Sequence, residues 1–228
     1  MPNIITWNME GGTHSQQSKW QDGVRLMDTK IGPEIFCLQE AGPVPGSAVV
    51  HLAPPWNAAP PAGFVFDFRC WPLGTTKNPK DRYILWGQTD PGGHRVNIAI
   101  VTRAVPTGLW YVANPIGGRP ALGVELPAGE HTFSVHCFSG GGGDAPGLVT
   151  AIDGAVPAGS TWRAAGDFNR EPNTWPGGHT GTICPPDMYT RWKSKKKLDY
   201  MVRNAAATTG GVISSLVLSD HFPVQFAV

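Results

Sequence analysis

The chain has 228 residues and a formal net charge of +1. That length suffices for one α/β domain over residues 1–228 burying roughly 70% of its unfolded surface. The charge excludes a molecule that holds polyanions over its whole surface, so an anionic substrate needs a local cluster. Charged residues are 15% of the chain, below the ~25% of an average domain, while 29 Gly and 22 Pro predict short strands joined by turn-rich loops. No stretch approaches the ~20 apolar residues of a helical membrane span, and no Cys-x-x-Cys or His-x-x-x-His spacing points to zinc.

In chain order, Asn3 to Met9 reads as an apolar strand, leaving no room for a signal peptide. The chain is thus expected to be the mature form of a secreted protein, or else leaderless and cytoplasmic. Ser15 to Thr29 places Trp20, Val24 and Met27 at helical spacing, with Ser18 as N-cap and Gly32-Pro33 as the stop. Glu34 to Glu40 is a second buried strand, and Ala41 to Gly63 a long Pro/Ala/Gly-rich surface loop. Strands follow at Phe64–Cys70, Arg82–Gln88, Arg95–Thr102, Trp110–Ala113, Ala121–Leu126 and Thr132–Phe138, spaced for antiparallel pairing. A Gly140–Gly143 loop leads to a helix at Asp144–Val156. Strands at Trp162–Phe168, Leu198–Arg203 and Val224–Val228 complete the pattern. Cys37 and Cys137 lie in apolar runs, as small buried hydrophobes do. Cys70 and Cys184 could pair if the protein is secreted.

The polar residues Asn8, Glu40, His136, Asp167, Asp199 and Asp220 sit at the ends of apolar runs, which gathers them on one edge of a layered sheet. Cleaving a phosphodiester asks for oxygen ligands to a hard cation, a base for water and donors for developing negative charge. Glu40 closes a wholly apolar strand, where a carboxylate is costly unless paired or bound to a cation. Asp167 and Asn169 stand at i and i+2 and point the same way. The adjacent acid and imidazole of Ser219-Asp220-His221-Phe222-Pro223 have few structural reasons to exist. The Arg191–Lys197 run is a solvated loop, a contact to a substrate backbone, or a nuclear-targeting signal. His14, His51, His94, His131 and His179 fall in loops or at turns and receive no role.

The order Trp7-Asn8, Gln39-Glu40, Val135-His136, Gly166-Asp167-Phe168-Asn169, Leu198-Asp199-Tyr200, Ser219-Asp220-His221 resembles the endonuclease/exonuclease/phosphatase superfamily, to which DNase I belongs. Ser18-Lys19-Trp20 with Val24-Arg25, Arg95 to Val101, Arg119-Pro120-Ala121, and Val135-His136 leading to Gly142-Gly143-Asp144-Ala145 look closer still to the catalytic subunits of cytolethal distending toxins. The Asn169–Asp199 and Tyr200–Asp220 segments are shorter than expected of that group. The resemblance implies an α/β (α+β) fold, a four-layer α/β/β/α sandwich of two mostly antiparallel sheets, DNase I-like. It implies a Mg²⁺-dependent endonuclease acting on DNA, with Mn²⁺ or Ca²⁺ as substitute or auxiliary ions. A phosphoinositide phosphatase and a non-catalytic binding relative are the alternatives. By the resemblance, Glu40, Asn8 and Asp220 hold the metal. Asp167 and Asn169 position water and phosphate, His221 (oriented by Asp199) and His136 act on the phosphate and leaving oxygen, and Arg95, Arg119 and Asn97 contact phosphate. Lys80-Asp81-Arg82-Tyr83 resembles the DNase I segment whose acid orients a histidine, so Asp81 is the expected partner of His136. Delivery by toxin partner subunits and action inside a host cell, including its nucleus, are the remaining expectations.

Overall fold

The computed structural model describes residues 3–11, 18–90 and 95–227. Strands β1 (Asn3–Asn8) and β2 (Ile35–Gln39) pair in parallel, which requires a crossover. The crossover is helical: a π-helical stretch, Lys19–Val24, runs directly into α1 (Arg25–Ile31). Trp20, Val24 and Met27 are its buried apolar residues, as their spacing predicts. It ends at Gly32, whose φ of 62° and ψ of 51° lie in the left-handed region that ends helices. Ser18 is not the cap expected of it, having helical dihedrals of −64° and −43°. The expected start at Ser15 lies outside the described residues, as do His14, His94 and Val228.

Two sheets form. In the first, β1 and β2 are flanked by β15 (Val224–Ala227) and β14 (Gly211–Val212) on one side. On the other lie β7 (Ile98–Thr102), β6 (Asp81–Gly87), β5 (Phe66–Pro72) and β3 (Val49–Val50). The second has the order β12 (Thr182–Cys184), β13 (Asp199–Arg203), β11 (Trp162–Asp167), β10 (His131–His136), β9 (Ala121–Glu125), β8 (Gly108–Val112), β4 (Trp56–Ala58). Its own parallel pair, β10 and β11, is bridged by α2 (Ala145–Ala155). Apart from these two pairs and β4–β8, neighbouring strands are antiparallel.

Alternation along each strand sets the layers. Ile5, Trp7, Phe36, Leu38, Ala99 and Val101 face α1, with Trp20, Val24 and Met27 over them. Ile4, Ile35, Cys37, Ile98 and Ile100 face the second sheet, whose far side carries Leu148, Val149 and Ile152 of α2. The result is the expected α/β/β/α sandwich. Between the sheets, paired residues form successive rungs. Thr6, Cys37 and Ile100 lie level in one sheet and Ser134, Ala165 and Met201 in the other. The next rung outward is Asn8, Gln39 and Ile98 against His136, Asp167 and Asp199.

Three expectations are corrected. Residues 41–63 are not a simple loop. They supply β3 to the edge of the first sheet and β4 to the second, closing that flank, with Trp56 edge-on to Phe66 at 5.1 Å. The Cys70–Cys184 pairing does not occur: β5 and β12 lie toward opposite flanks of the sandwich, and all four cysteines are free. His131, expected in a loop, is buried on β10 against Trp110. The strands β12 and β14 carry no periodicity of their own and exist through pairing with longer neighbours.

Gly166 has a steric reason. A Cβ there would lie 2.0 Å from the Val135 carbonyl oxygen, and backbone in mid-sheet cannot yield. Gly166→Ala is expected to destabilise the protein by about 1–3 kcal/mol, measured by urea unfolding; a neutral result would show that β10 and β11 can separate locally.

Candidate active site

Both parallel pairs end on the outermost rung, where the chain must leave the sheet, and three departures share one device. Glu10, Glu40 and Asn169 take positive φ values of 51°, 49° and 50° just beyond β1, β2 and β11. Such conformations are rare for side chains larger than glycine and concentrate at functional sites. The turns after β1 and β11 match: Glu10 N donates to Asn8 Oδ1 (2.9 Å), and Asn169 N donates to Asp167 Oδ1 (2.8 Å). Each is an Asx-type turn that holds a strand-end side chain over the gap between the sheets.

Asn8 Nδ2 donates across that gap to Asp167 Oδ2 (2.9 Å) and along its own sheet to Glu40 Oε1 (3.2 Å). Glu40 Oε2 accepts from Gly11 N at 3.0 Å. The loop before β15 arrives from the side. Ser219 Oγ donates to Asn8 O (2.7 Å) and accepts from His221 N (3.1 Å), while Trp7 Nε1 donates to His221 O (3.1 Å). These contacts place Asp220 and His221 on the same rim. Thr190 Oγ1 accepts from Asp199 N (3.1 Å) and Leu198 N (2.9 Å), fixing the start of β13.

The two histidines differ. His221 Nδ1 is 2.7 Å from Asp199 Oδ2. Burial alone would lower its pKa, but Asp199 by charge and hydrogen bond, then Asp167 and Asp220, push it up to about 9. His136 is held well below the ordinary imidazole value by burial, then by Arg119 and His221. One imidazole is therefore cationic and the other neutral at pH 7. Their Nε2 atoms stand 3.9 Å and 3.8 Å from the same Asp167 Oδ2. Those gaps exceed hydrogen-bond length, so neither Nε2 is bonded to Asp167. Burial, and then the Asp199 carboxylate, push the Asp167 carboxyl up from its usual range.

These groups open onto a cavity of about 310 Å³, lined by Asn8, Glu10, Glu40, Arg95, His136, Ser139, Asp167, Asn169, Arg191, Lys193, Asp220 and His221. Its donor set of carboxylate and amide oxygens suits a hard divalent cation. Asp167, Asp199 and His221 offer ligand atoms within 4.8 Å of one another. Glu40, on the cavity wall, has Oε1 3.9 Å from His136 Nε2. Asp220 Oδ1 is 3.8 Å from His221 Nε2, and Asp220 Oδ2 meets Arg191 Nε at 3.3 Å.

Of the residues expected from sequence, Asn8, Glu40, Arg95, His136, Asp167, Asn169, Asp220 and His221 line the cavity, and Asp199 lies behind His221. Asn8 presents its amide N–H groups to the Glu40 and Asp167 carboxylates, and its oxygen accepts from Glu10 N. Arg119 stands behind His136, clamping the His136 and Cys137 carbonyls at 3.4 and 3.2 Å. Asn97 is buried and its carbonyl accepts from Ala41 N, steadying the turn after Glu40. Asp81 is a correction. It begins β6 at the end of the sheet far from Gly87, about 20 Å away at ~3.3 Å per residue, beside Asp28, Arg82 and Arg103. His136 Nδ1 has no hydrogen-bond partner among the described residues. Sequence reading missed Glu10 and Ser139. Glu10 stood at i+2 from Asn8, the spacing that singled out Asn169 after Asp167.

The chain matches the Endonuclease/Exonuclease/phosphatase family over residues 5–221. It is 31% identical to a cytolethal distending toxin subunit of Escherichia coli, over 97% of this chain and 89% of that protein. It is 37% identical to a homolog of that toxin subunit in Salmonella typhi, over 75% of this chain and 64% of that protein. A chain in the crystal structure of the cytolethal distending toxin from Actinobacillus actinomycetemcomitans superposes with a TM-score of 0.85 at 28% identity, covering 99% of this chain and 97% of that one.

The raised His221 pKa has a consequence for stability. Protonated His221 stabilises the fold fully below its unfolded value of ~6.5, and that contribution is lost as pH rises through about 9. In EDTA, the stability advantage of wild type over His221→Gln is expected to shrink by up to about 3 kcal/mol between pH 6 and pH 10, at ~1.4 kcal/mol per pKa unit. Urea unfolding across that range measures it, and a constant difference would mean that His221 is not held protonated.

Proposed function

Because the chain belongs to the endonuclease/exonuclease/phosphatase family, we propose that it is a Mg²⁺-dependent endonuclease that hydrolyses DNA phosphodiesters, the catalytic subunit of a toxin of the cytolethal distending kind. The observation that carries the chemistry is the pair of imidazole Nε2 atoms 3.8 and 3.9 Å from one Asp167 oxygen, with Asp199 pushing the His221 pKa up and burial holding that of His136 down. Groups whose surroundings drive their pKa values apart take different roles, here a charged donor and a neutral one.

Asp167, with its proton affinity raised by burial and Asp199, takes the proton of the attacking water while Asn169 helps hold that water and the phosphate. His221, kept cationic by Asp199, stabilises charge on the phosphoryl group and protonates the leaving oxygen at Nε2. His136, neutral and buried, orients a phosphoryl oxygen at its own Nε2. Glu40, with Asp220, would hold Mg²⁺, or Mn²⁺ or Ca²⁺ in its place, and such an ion would offset the negative charge that builds on the phosphoryl oxygens. Arg95, Arg191 and Lys193 on the cavity wall attract the anionic strand. The names of the relatives, each a toxin subunit or its homolog, support secretion, delivery by partner subunits and action inside a host cell. No described helix is long and apolar enough to cross a membrane.

Nicking of supercoiled plasmid is expected with Mg²⁺ and not with EDTA. His221→Ala should lose about 10²–10⁴-fold, as expected for removal of an acid–base group, and His136→Ala about 10²–10³-fold, as expected for removal of a donor to a transition-state oxygen. Protein that releases phosphate from a phosphoinositide yet nicks no plasmid would move the substrate assignment to the lipid headgroup.

A further inference from the structure

One buried cation beneath the cavity has no part in the chemistry above. Lys19 is only 7% exposed and sits on the first residue of the π-helical stretch. An ammonium group is costly to bury without acceptors. Its Nζ donates to the carbonyls of Met9 and Glu10, the latter at 2.9 Å. Arg95 Nε takes the next carbonyl, that of Gly11, at 3.0 Å. Two cations thus hold three consecutive carbonyls of the turn after β1.

With the oxygens held on one side, the turn's other polar groups face the site. Glu10 N meets Asn8 Oδ1 and Gly11 N meets Glu40 Oε2. The Glu10 carboxylate accepts from Asp220 N at 2.8 Å. Met9 N donates to Gln39 O at 2.8 Å, tying the turn to the end of β2. The turn is also sterically confined. Glu10 is left-handed at φ 51°, and a Cβ on Gly11 would meet Arg95 O at 2.1 Å. Asn8, Glu40 and Asp220 come from three separate segments, and this one turn touches all three.

We propose that Lys19 is a positioning residue for the cation site, holding the Met9–Gly11 turn so that its amides and the Glu10 carboxylate orient Asn8, Glu40 and Asp220. It rests on the reading of the cavity as a metal-assisted phosphodiesterase site. The lysine touches neither substrate nor ion. Losing it frees two carbonyls and lets the turn rotate its amides away from Glu40. The predicted defect is therefore in cation affinity, with substrate binding at saturating cation unchanged. Removing groups that orient ligands from behind typically costs about 10–100-fold in metal affinity.

The test compares wild type, Lys19→Met, Lys19→Arg and Glu40→Gln. Calorimetric titration with Mn²⁺ gives affinity directly, plasmid nicking against Mg²⁺ gives the half-saturating concentration, and melting temperature reports the fold. Lys19→Met should raise both the Mn²⁺ dissociation constant and the Mg²⁺ midpoint by about tenfold or more. Its KM for DNA at saturating Mg²⁺ should stay within about twofold of wild type, and Lys19→Arg should recover most of the affinity. If Lys19→Met does not fold, Lys19→Gln, which keeps donors and drops the charge, carries the same comparison. A lower melting temperature with wild-type cation affinity would overturn the proposal by leaving Lys19 a purely structural role. Wild type that neither binds Mn²⁺ nor nicks DNA would overturn the functional reading itself, and wild type that nicks normally beside an unaltered Lys19→Met would overturn the positioning role alone.

Discussion

The hydrogen bond from Asn8 to Asp167 joins two sheets whose shared interior is mostly apolar. Apolar contacts fix the distance between sheets but tolerate sliding, because burial is non-directional. A bond of 2.9 Å to a buried carboxylate does not, and such charge-assisted bonds contribute about 1.5–3 kcal/mol. From the same rung as Asn8, Gln39 Nε2 donates to Ser134 Oγ, one rung inward, at 3.0 Å, and Ser134 Oγ donates to Leu38 O at 3.3 Å. These polar rungs lock the sheets in register where the strands end. Glu40, carried by one sheet, and His136, Asp167 and Asp199, carried by the other, thereby share one cavity.

The cavity concentrates features that a folded chain normally avoids. Asp167 and Asp199 are neighbouring buried acids on adjacent strands, and three residues beyond strand ends adopt left-handed backbone at a cost of order 1–3 kcal/mol each. Apolar layers on both faces of the first sheet provide the compensating stability. Cationic groups limit the electrostatic cost: His221 between Asp199, Asp167 and Asp220, Lys19 below Glu10 and Glu40, and Arg191 with Lys193 beside Asp220. The proposed function uses this arrangement to hold an anion and a divalent cation together. Burial of the carboxylates makes each charge more effective, since little water screens them.

Much of this is legible in the sequence. Apolar runs ending in Asn8, Glu40, His136 and Asp167 locate strand ends, and the Ser219–Pro223 segment stands out because an acid beside an imidazole is hard to explain by packing. The Arg191–Lys197 run is ambiguous for a physical reason. Its residues divide between two environments: Arg191 and Lys193 face the cavity, while Lys195 lies over Tyr189 and Lys197 bonds to Pro186 O. Spacing cannot express that split in an irregular turn. Asp81 fails differently. A local likeness around Lys80–Tyr83 carries no information about which end of β6 faces the site, and strand direction sends it the other way.

By itself the sequence determined the element types, the layered α/β class and most of the cavity's residues. Those properties follow from local alternation and from the cost of leaving polar groups at the ends of buried strands. Only the tertiary structure decided the contacts. Which carboxylate Asn8 reaches, which carbonyl Arg119 holds and which acid pairs with His221 depend on neighbours 17 to 159 residues away. Those neighbours are set by two parallel crossovers and one sheet-to-sheet register, which no local pattern encodes.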